Sequence, residues 1–374
     1  MRLRRTFRGG VEFSASERQL YATNLWCRTV TRIVIRVARF SASTLGELAA
    51  GAAPVTWERW VPAGARPEVR VSCTSSRLYH TDAIAERLAQ VAGTGDGTGP
   101  LLIARLMHDR VTLSVDSSGA PLFQRGWRLE GAKAPLRETL AAGLILASGW
   151  DGASPLIDPL CGSGTIAIEA ALLGAGRPPG GGRPFGFQLW PSFQPGTWAS
   201  VKAQPQPPQP QPTKPQPTKP GPQPRAGPTI VGRDRDAGAV HAATANAARA
   251  GVGDLVDLGH ASLSDLEPPP GGPGWVVTNP PYGKRLTGGN VRDLYARFGD
   301  VVRARLADWT VALLVADPAL ASHTGLDLTP ALRTDNGGIP VHLMISRPPH
   351  RRTPHRQPPH RQPPHHGPRP RQLS

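Results

Sequence analysis

Three short segments of this 374-residue chain combine residue types that could do chemistry. One reads Thr278-Asn279-Pro280-Pro281-Tyr282-Gly283 and follows the apolar run Trp275 to Val277. An amine conjugated to a ring is a poor nucleophile because its lone pair is delocalised. If the Asn279 side-chain oxygen and the Pro280 carbonyl each accept one N–H, the nitrogen is held with its lone pair aimed at an electrophilic methyl group, and Tyr282 can stack on the planar group. That is catalysis by orientation and by relief of charge on the N–H bonds, with no metal or covalent nucleophile required. A plain proline-rich turn after a buried strand is the competing reading.

The second segment is Asp158-Pro159-Leu160-Cys161-Gly162-Ser163-Gly164, at a strand-to-helix turn. Gly162 and Gly164 let the backbone approach a ligand, and the helix start offers free N–H groups and a positive dipole end to a carboxylate. An ordinary tight turn would look the same. The third is Gly232-Arg233-Asp234-Arg235-Asp236, where Asp234 can accept both hydroxyls of a ribose or can cap a helix.

These segments need a scaffold that brings strand ends together. Leu156 to Leu160, Thr229 to Gly232, Val256 to Leu258, Trp275 to Thr278 and Val311 to Val315 read as strands. They alternate with helices at Leu136 to Trp150 (after Pro135), Thr165 to Gly174, Ala237 to Ala250 and Val291 to Leu306. Strands around Leu332 and over Ile339 to Ile345 are joined by Asp-Asn-Gly-Gly, a hairpin signal. Such alternation predicts a parallel α/β domain ending in an antiparallel hairpin. Upstream, strands are expected at Thr29 to Val37, Glu68 to Cys73, Leu101 to Leu106 and Arg110 to Val115, with helices at Thr44 to Ala50 and Asp82 to Val91 and a tight turn at His108-Asp109. That is a small α+β module.

Composition is misleading unless it is divided along the chain. The 42 prolines and the net charge of +16 are concentrated in two tracts. Residues 201–228 hold 11 Pro and a charge of +4, and residues 347–374 hold 9 Pro and +7, which leaves only +5 for everything else. Both tracts read as spacer and tail, since polyproline-type chain makes no internal hydrogen bonds. The five His of the tail fix no coordination geometry, and their Arg neighbours repel cations. Three scattered cysteines argue against both a disulfide framework and a zinc cluster. The longest apolar helix candidate, Leu140 to Trp150, is half a membrane span, and no export signal is visible. A cytoplasmic protein with no metal and no membrane partner is expected.

In this order, DPLCGSGT, GRDRD and TNPPYG resemble the amino-directed S-adenosylmethionine methyltransferases. NLWCRTVTRI, SRLYHTDAIAERL, LFQRGWRLEGAKAPLRETLAAGLIL and DNGGIPVHLMIS are similar to one branch of them, the THUMP-domain RNA methyltransferases, in particular the N-terminal half of the bacterial large-subunit ribosomal RNA guanine-N2 enzymes. The resemblance implies a class I, Rossmann-like methyltransferase domain over 129–346, interrupted by the 201–228 insertion and followed by the 347–374 tail. Before it would stand a partial ferredoxin-like segment over 1–60 and a THUMP-like module over 61–128. It implies S-adenosyl-L-methionine as cofactor, with Asp158, Cys161, Gly162 and Gly164 at its amino-acid end and Asp234 on its ribose. Asn279, Pro280 and Tyr282 would face the target amine.

Three departures stand out. The strand and helix with which the family opens ahead of Arg-Gly-Gly-Val-Glu-Phe are not evident. Ser262 stands where the family has an acid for the adenine amino group, with Asp265 three residues on. A second methyltransferase domain is absent from the sequence. The resemblance implies RNA as partner, ribosomal first and transfer RNA second, and Arg77, His80, Arg125, Arg128, Lys284 and Arg285 are the candidates for its phosphates. Adenine-N6 methylation of DNA, and a non-catalytic RNA-binding protein derived from such an enzyme, are the other readings.

Overall fold

The computed structural model describes residues 1–7, 9–129, 136–205, 229–281 and 291–348. Strands β1 (Arg2–Phe7) and β2 (Gly10–Ser14) form an antiparallel hairpin, so an element does precede Arg-Gly-Gly-Val-Glu-Phe. Helix α1 (Glu17–Trp26) starts at a capping box, in which the Gln19 N–H donates to Ser16 Oγ and the Ser16 N–H donates to Gln19 Oε1.

Then come β3 (Val34–Ser41), α2 (Leu45–Ala52), β4 (Ala65–Thr74), α3 (Thr81–Ala92), β5 (Gly97–Met107) and β6 (Arg110–Asp116). The four strands make one sheet in the order β3-β6-β5-β4, with β4 and β5 parallel and the other pairs antiparallel. Its inner face, Leu102, Ala104, Leu106, Val111, Leu113 and Val115, shares a core with Leu48 of α2 and Ile84 and Leu88 of α3. Its outer face carries exposed arginines. His108 and Asp109 turn between β5 and β6 with φ of 51° and 59°.

Strand β3 starts later than the apolar alternation predicted. The carbonyls of Thr31 and Ile33 accept from Leu122 and Ser117 N–H groups in the loop after β6, and Arg32 turns to Asp116 at 2.5 Å. Residues 29–33 are thereby used outside the strand ladder. Because β3 pairs with β6, the expected boundary at residue 60 falls inside a single sheet.

The second part begins with α4 (Glu138–Ser148), β7 (Leu156–Asp158) and α5 (Thr165–Gly174). The chain then leaves it. Phe185, Phe187, Trp190 and Trp198, the last on α6 (Pro195–Lys202), join the core of the first module rather than the second. Phe187 stacks on Tyr21 at 4.3 Å and Trp190 meets Trp60 edge-on at 4.9 Å. Residues 185–201, inside the expected 129–346 domain, thus pack their apolar rings against α1 and its neighbours in the first module. Val201 is buried and Lys202 is still helical, so the proline tract starts after them, and 206–228 lies outside the described residues.

Strands β8 (Ile230–Asp234), β9 (Val256–His260), β10 (Trp275–Thr278) and β11 (Thr310–Val315) continue the second sheet, with α7 (Ala237–Arg249), α8 (Val291–Arg305) and α9 (Pro318–Ser322) between or after them. The hairpin β12 (Thr329–Asn336) and β13 (Ile339–Ser346) completes it. The order is β12-β13-β11-β10-β7-β8-β9; all strands run in one direction except β13, which is antiparallel to both of its neighbours, β11 and β12. Successive residues go to opposite cores: Leu156, Ile230 and Val277 to one, Ile157, Val231 and Val276 to the other. A sheet covered on both faces leaves only its strand ends for a ligand, and the order reverses between β7 and β10. No helix among the described residues is long and apolar enough to cross a membrane.

Candidate active site at the strand ends

The three sequence segments converge at the C-terminal ends of β7, β8 and β10. Asp158, the last residue of β7, is 2% exposed, and its Oδ1 accepts from Thr278 Oγ1 at 2.7 Å and from the Leu160 N–H at 3.3 Å. Burial pushes its carboxyl up to about 7; the Thr278 and Leu160 hydrogen bonds oppose the shift and the Asp234 charge adds to it. A cationic ligand group arriving here would favour the ionised form.

The turn that follows is held from β8. The Gly162 N–H donates to Asp234 Oδ2 at 2.8 Å, and the Cys161 N–H donates to the Arg233 carbonyl at 2.9 Å. Asp234 Oδ1 also accepts from the Asp236 N–H. Asp236 is the helix cap, accepting from Gly238 and Ala239 N–H groups, so Asp234 is free of that duty and keeps lone pairs for a ligand. Gly164, the N-cap of α5, has φ of 81°, and a Cβ there would come within 2.9 Å of Ala243. Gly162 has φ of 52°, and a Cβ there would meet nothing within 4 Å, so the turn opens onto free space. Burial raises the Cys161 thiol, and its Sγ lies 3.7 Å from the Gly162 carbonyl, which is packing rather than nucleophile chemistry.

Beyond Thr278 the side-chain oxygen of Asn279 is buried and, among the described residues, has no hydrogen-bond donor. Pro280 is buried beside it. Tyr282, Lys284 and Arg285 lie outside the described residues. Ser262, just after β9, is exposed and donates to Asp265 Oδ2 at 2.7 Å; its own oxygen can still accept.

Of the candidate phosphate contacts, Arg125 is buried and Arg128 mostly so. Arg125 is 2% exposed, donating to Glu169 Oε1 of α5 and to the Leu122 and Arg28 carbonyls at 3.2, 2.8 and 2.5 Å. Arg128 is mostly buried, paired with Glu138 at 3.0 Å and donating to Thr165 Oγ1 at 2.6 Å. A buried guanidinium needs such acceptors, and these arginines spend theirs inside the molecule. Arg77 is exposed beside Asp109, 3.6 Å away. His80 is exposed, its ring tilted at 37° against Tyr79 with centroids 4.1 Å apart, and it does not cap α3. Thr278 and Thr165, which sequence reasoning passed over, are the residues that tie Asp158 and the start of α5 to their neighbours.

A doubly covered parallel sheet with an antiparallel final hairpin and a glycine turn between two acids defines a class I S-adenosyl-L-methionine-dependent methyltransferase. The residues fit that cofactor: an open glycine turn, a helix start, and two carboxylates with free lone pairs. Residues 125–344 match the family model described as the RMKL-like methyltransferase domain, and residues 3–34 match an RlmL ferredoxin-like domain. The chain belongs to the RMKL-like methyltransferase family, as its motifs had suggested. It is 33% identical over 361 residues to the "Ribosomal RNA large subunit methyltransferase K/L" of Syntrophotalea carbinolica, covering 90% of this chain and 49% of the relative. The chain thus spans about half the length of the curated relatives it matches. The crystal structure of SMU.472 complexed with SAH is 28% identical with a TM-score of 0.74 and 88% of each chain covered. A protein of Listeria monocytogenes named a predicted N6-adenine-specific DNA methylase is 30% identical with a TM-score of 0.76, over 91% of this chain and 88% of that one.

Proposed function

We propose that this chain methylates the exocyclic N2 of a guanine in large-subunit ribosomal RNA, in the cytoplasm. The observation that carries the reading is the buried Asn279 Oδ1 just after β10, which has no hydrogen-bond donor among the described residues. A buried acceptor without a donor is costly, and an incoming amine supplies the missing N–H. The Pro280 carbonyl takes the second N–H and Tyr282 stacks on the base. Bound S-adenosyl-L-methionine supplies an electrophilic methyl group. Asp158 and the turn from Cys161 to Gly164 receive its amino-acid end, Asp234 its ribose and Ser262 its adenine amino group. Since a paired base cannot reach the turn, the target guanine is single-stranded or flipped out. Arg77 and His80 remain candidates for RNA contact in what we read as a THUMP-like module.

The name carried by the Syntrophotalea relative supports ribosomal RNA as substrate. Replacing Asn279 by Ala should lower methyl transfer by about 10²–10³ with the fold intact by circular dichroism. Transfer at the wild-type rate would sink the mechanism. A second reading, adenine-N6 of DNA, is favoured by the name of the Listeria protein. Labelled methyl donor offered RNA and DNA, followed by nucleoside analysis, separates the two, and it equally separates ribosomal from transfer RNA.

A further inference from the structure

The outer face of the first module's sheet carries five arginines, each exposed: Arg36 and Arg39 on β3, Arg110 on β6, Arg105 on β5 and Arg70 on β4. The register sets them in cross-strand rows. Arg39 pairs with Thr112, Thr112 with Arg105 and Arg105 with Ser72; in the next row Ser41 pairs with Arg110, Arg110 with Met107 and Met107 with Thr74. Strand spacing puts Arg39 and Arg105 about 10 Å apart with a threonine between them. Two of the five have acids at hand, Arg36 with Glu12 at 2.5 Å and Arg70 with Glu68 at 2.9 Å. Arg39, Arg105 and Arg110 form no ion pair among the described residues.

Unpaired guanidinium groups crowded on one face repel each other, which is tolerated in water and relieved by a polyanion. Hydroxyls of Thr112, Ser72 and Thr74 interleave with them, and Arg with Ser or Thr is the usual donor set for phosphates. Inner-face residues of the same strands are apolar, buried on β5 and β6 and partly buried on β3 and β4, so period-two alternation separates the charge from the core. From this placement we infer that the open face of the β3-β6-β5-β4 sheet grips the sugar–phosphate backbone of the RNA substrate, reading charge and shape rather than base. The occupant rests on the proposed RNA activity; the charged face does not.

The test is RNA binding by full-length protein, measured by fluorescence anisotropy from 50 to 300 mM salt with a ribosomal RNA fragment. Replacing Arg39, Arg105 and Arg110 by Gln should reduce the slope of log affinity against log salt by about 2. Replacing Glu12 and Glu68 by Gln should tighten binding, a gain that misfolding cannot mimic. Arg105→Gln should outweigh Arg87→Gln, since Arg87 is exposed on α3, which packs on the opposite face. Unchanged slope in the triple variant overturns the proposal, and equal affinity for a DNA duplex of the same length overturns RNA as the intended occupant. Methyl transfer by the wild type is scored separately. RNA methylation with an unaltered slope removes the platform and spares the activity, whereas a lost slope without RNA methylation does the reverse.

Discussion

The first module holds two sets of arginines in opposite surroundings. Arg28 and Arg125 are buried against Glu169 and backbone carbonyls at the junction with α5, whereas Arg39, Arg105 and Arg110 stand in water on the sheet. Burial pushes Arg28 down to about 10, and the Glu169 charge opposes that shift. The same side chain is thus structural in one place and available to a ligand in the other. What decides is what surrounds it: carbonyls and one carboxylate inside, water outside. A charge taken out of water also couples to the fold, while one left in it couples to salt.

Removing a buried charge should have the largest effect. Arg125→Met leaves Glu169 with Arg28 alone, 3.9 Å away, and should cost about 3–5 kcal/mol in chemical denaturation, against under about 0.5 kcal/mol for Arg105→Gln. Comparable losses would abolish the distinction. Next comes Asp158, a buried acid. Its folded-state value near 7 lies above the ordinary carboxylate, so the protonated native form is favoured. Its contribution is complete below about pH 4 and is lost as pH rises to about 7, a few kcal/mol in all. Asp158→Asn should flatten that slope in pH-dependent unfolding, and an unchanged slope would assign it to another group. Smallest should be Ser262→Ala, because the hydroxyl proton is already engaged with Asp265. Calorimetry should show less than about a threefold loss of S-adenosyl-L-methionine affinity, while a tenfold loss would make Ser262 a principal adenine contact.

The α/β part was readable because its signals are local. Thr165 to Gly174 is helical as the apolar run and the preceding glycine turn require, and the strands ending at Asp158 and Thr278 close where the motifs begin. In sequence Asp234 could equally serve a ribose or cap a helix; the geometry of α7 gives the cap to Asp236 and leaves Asp234 to the site. Arg125 and Arg128 were misread because a guanidinium says nothing of its surroundings, and Glu169, its partner in space, is 44 residues from Arg125. The aromatic stretch from Phe185 to Trp198 was invisible as part of the first module for the same reason. Its partners Tyr21 and Trp60 precede it by more than a hundred residues.

That stretch has a consequence for how the molecule can be divided. The chain runs from the first module into α4, β7 and α5, back across α1, and out again to β8, so the two parts are stitched by three crossings rather than joined by one hinge. No single cut or recombination point frees an intact methyltransferase half. A fragment beginning near residue 129 would carry Phe187, Trp190 and Trp198 with nothing to cover them and would be prone to aggregate. Partner-swapped chimeras must therefore exchange residues 185–201 together with the first module.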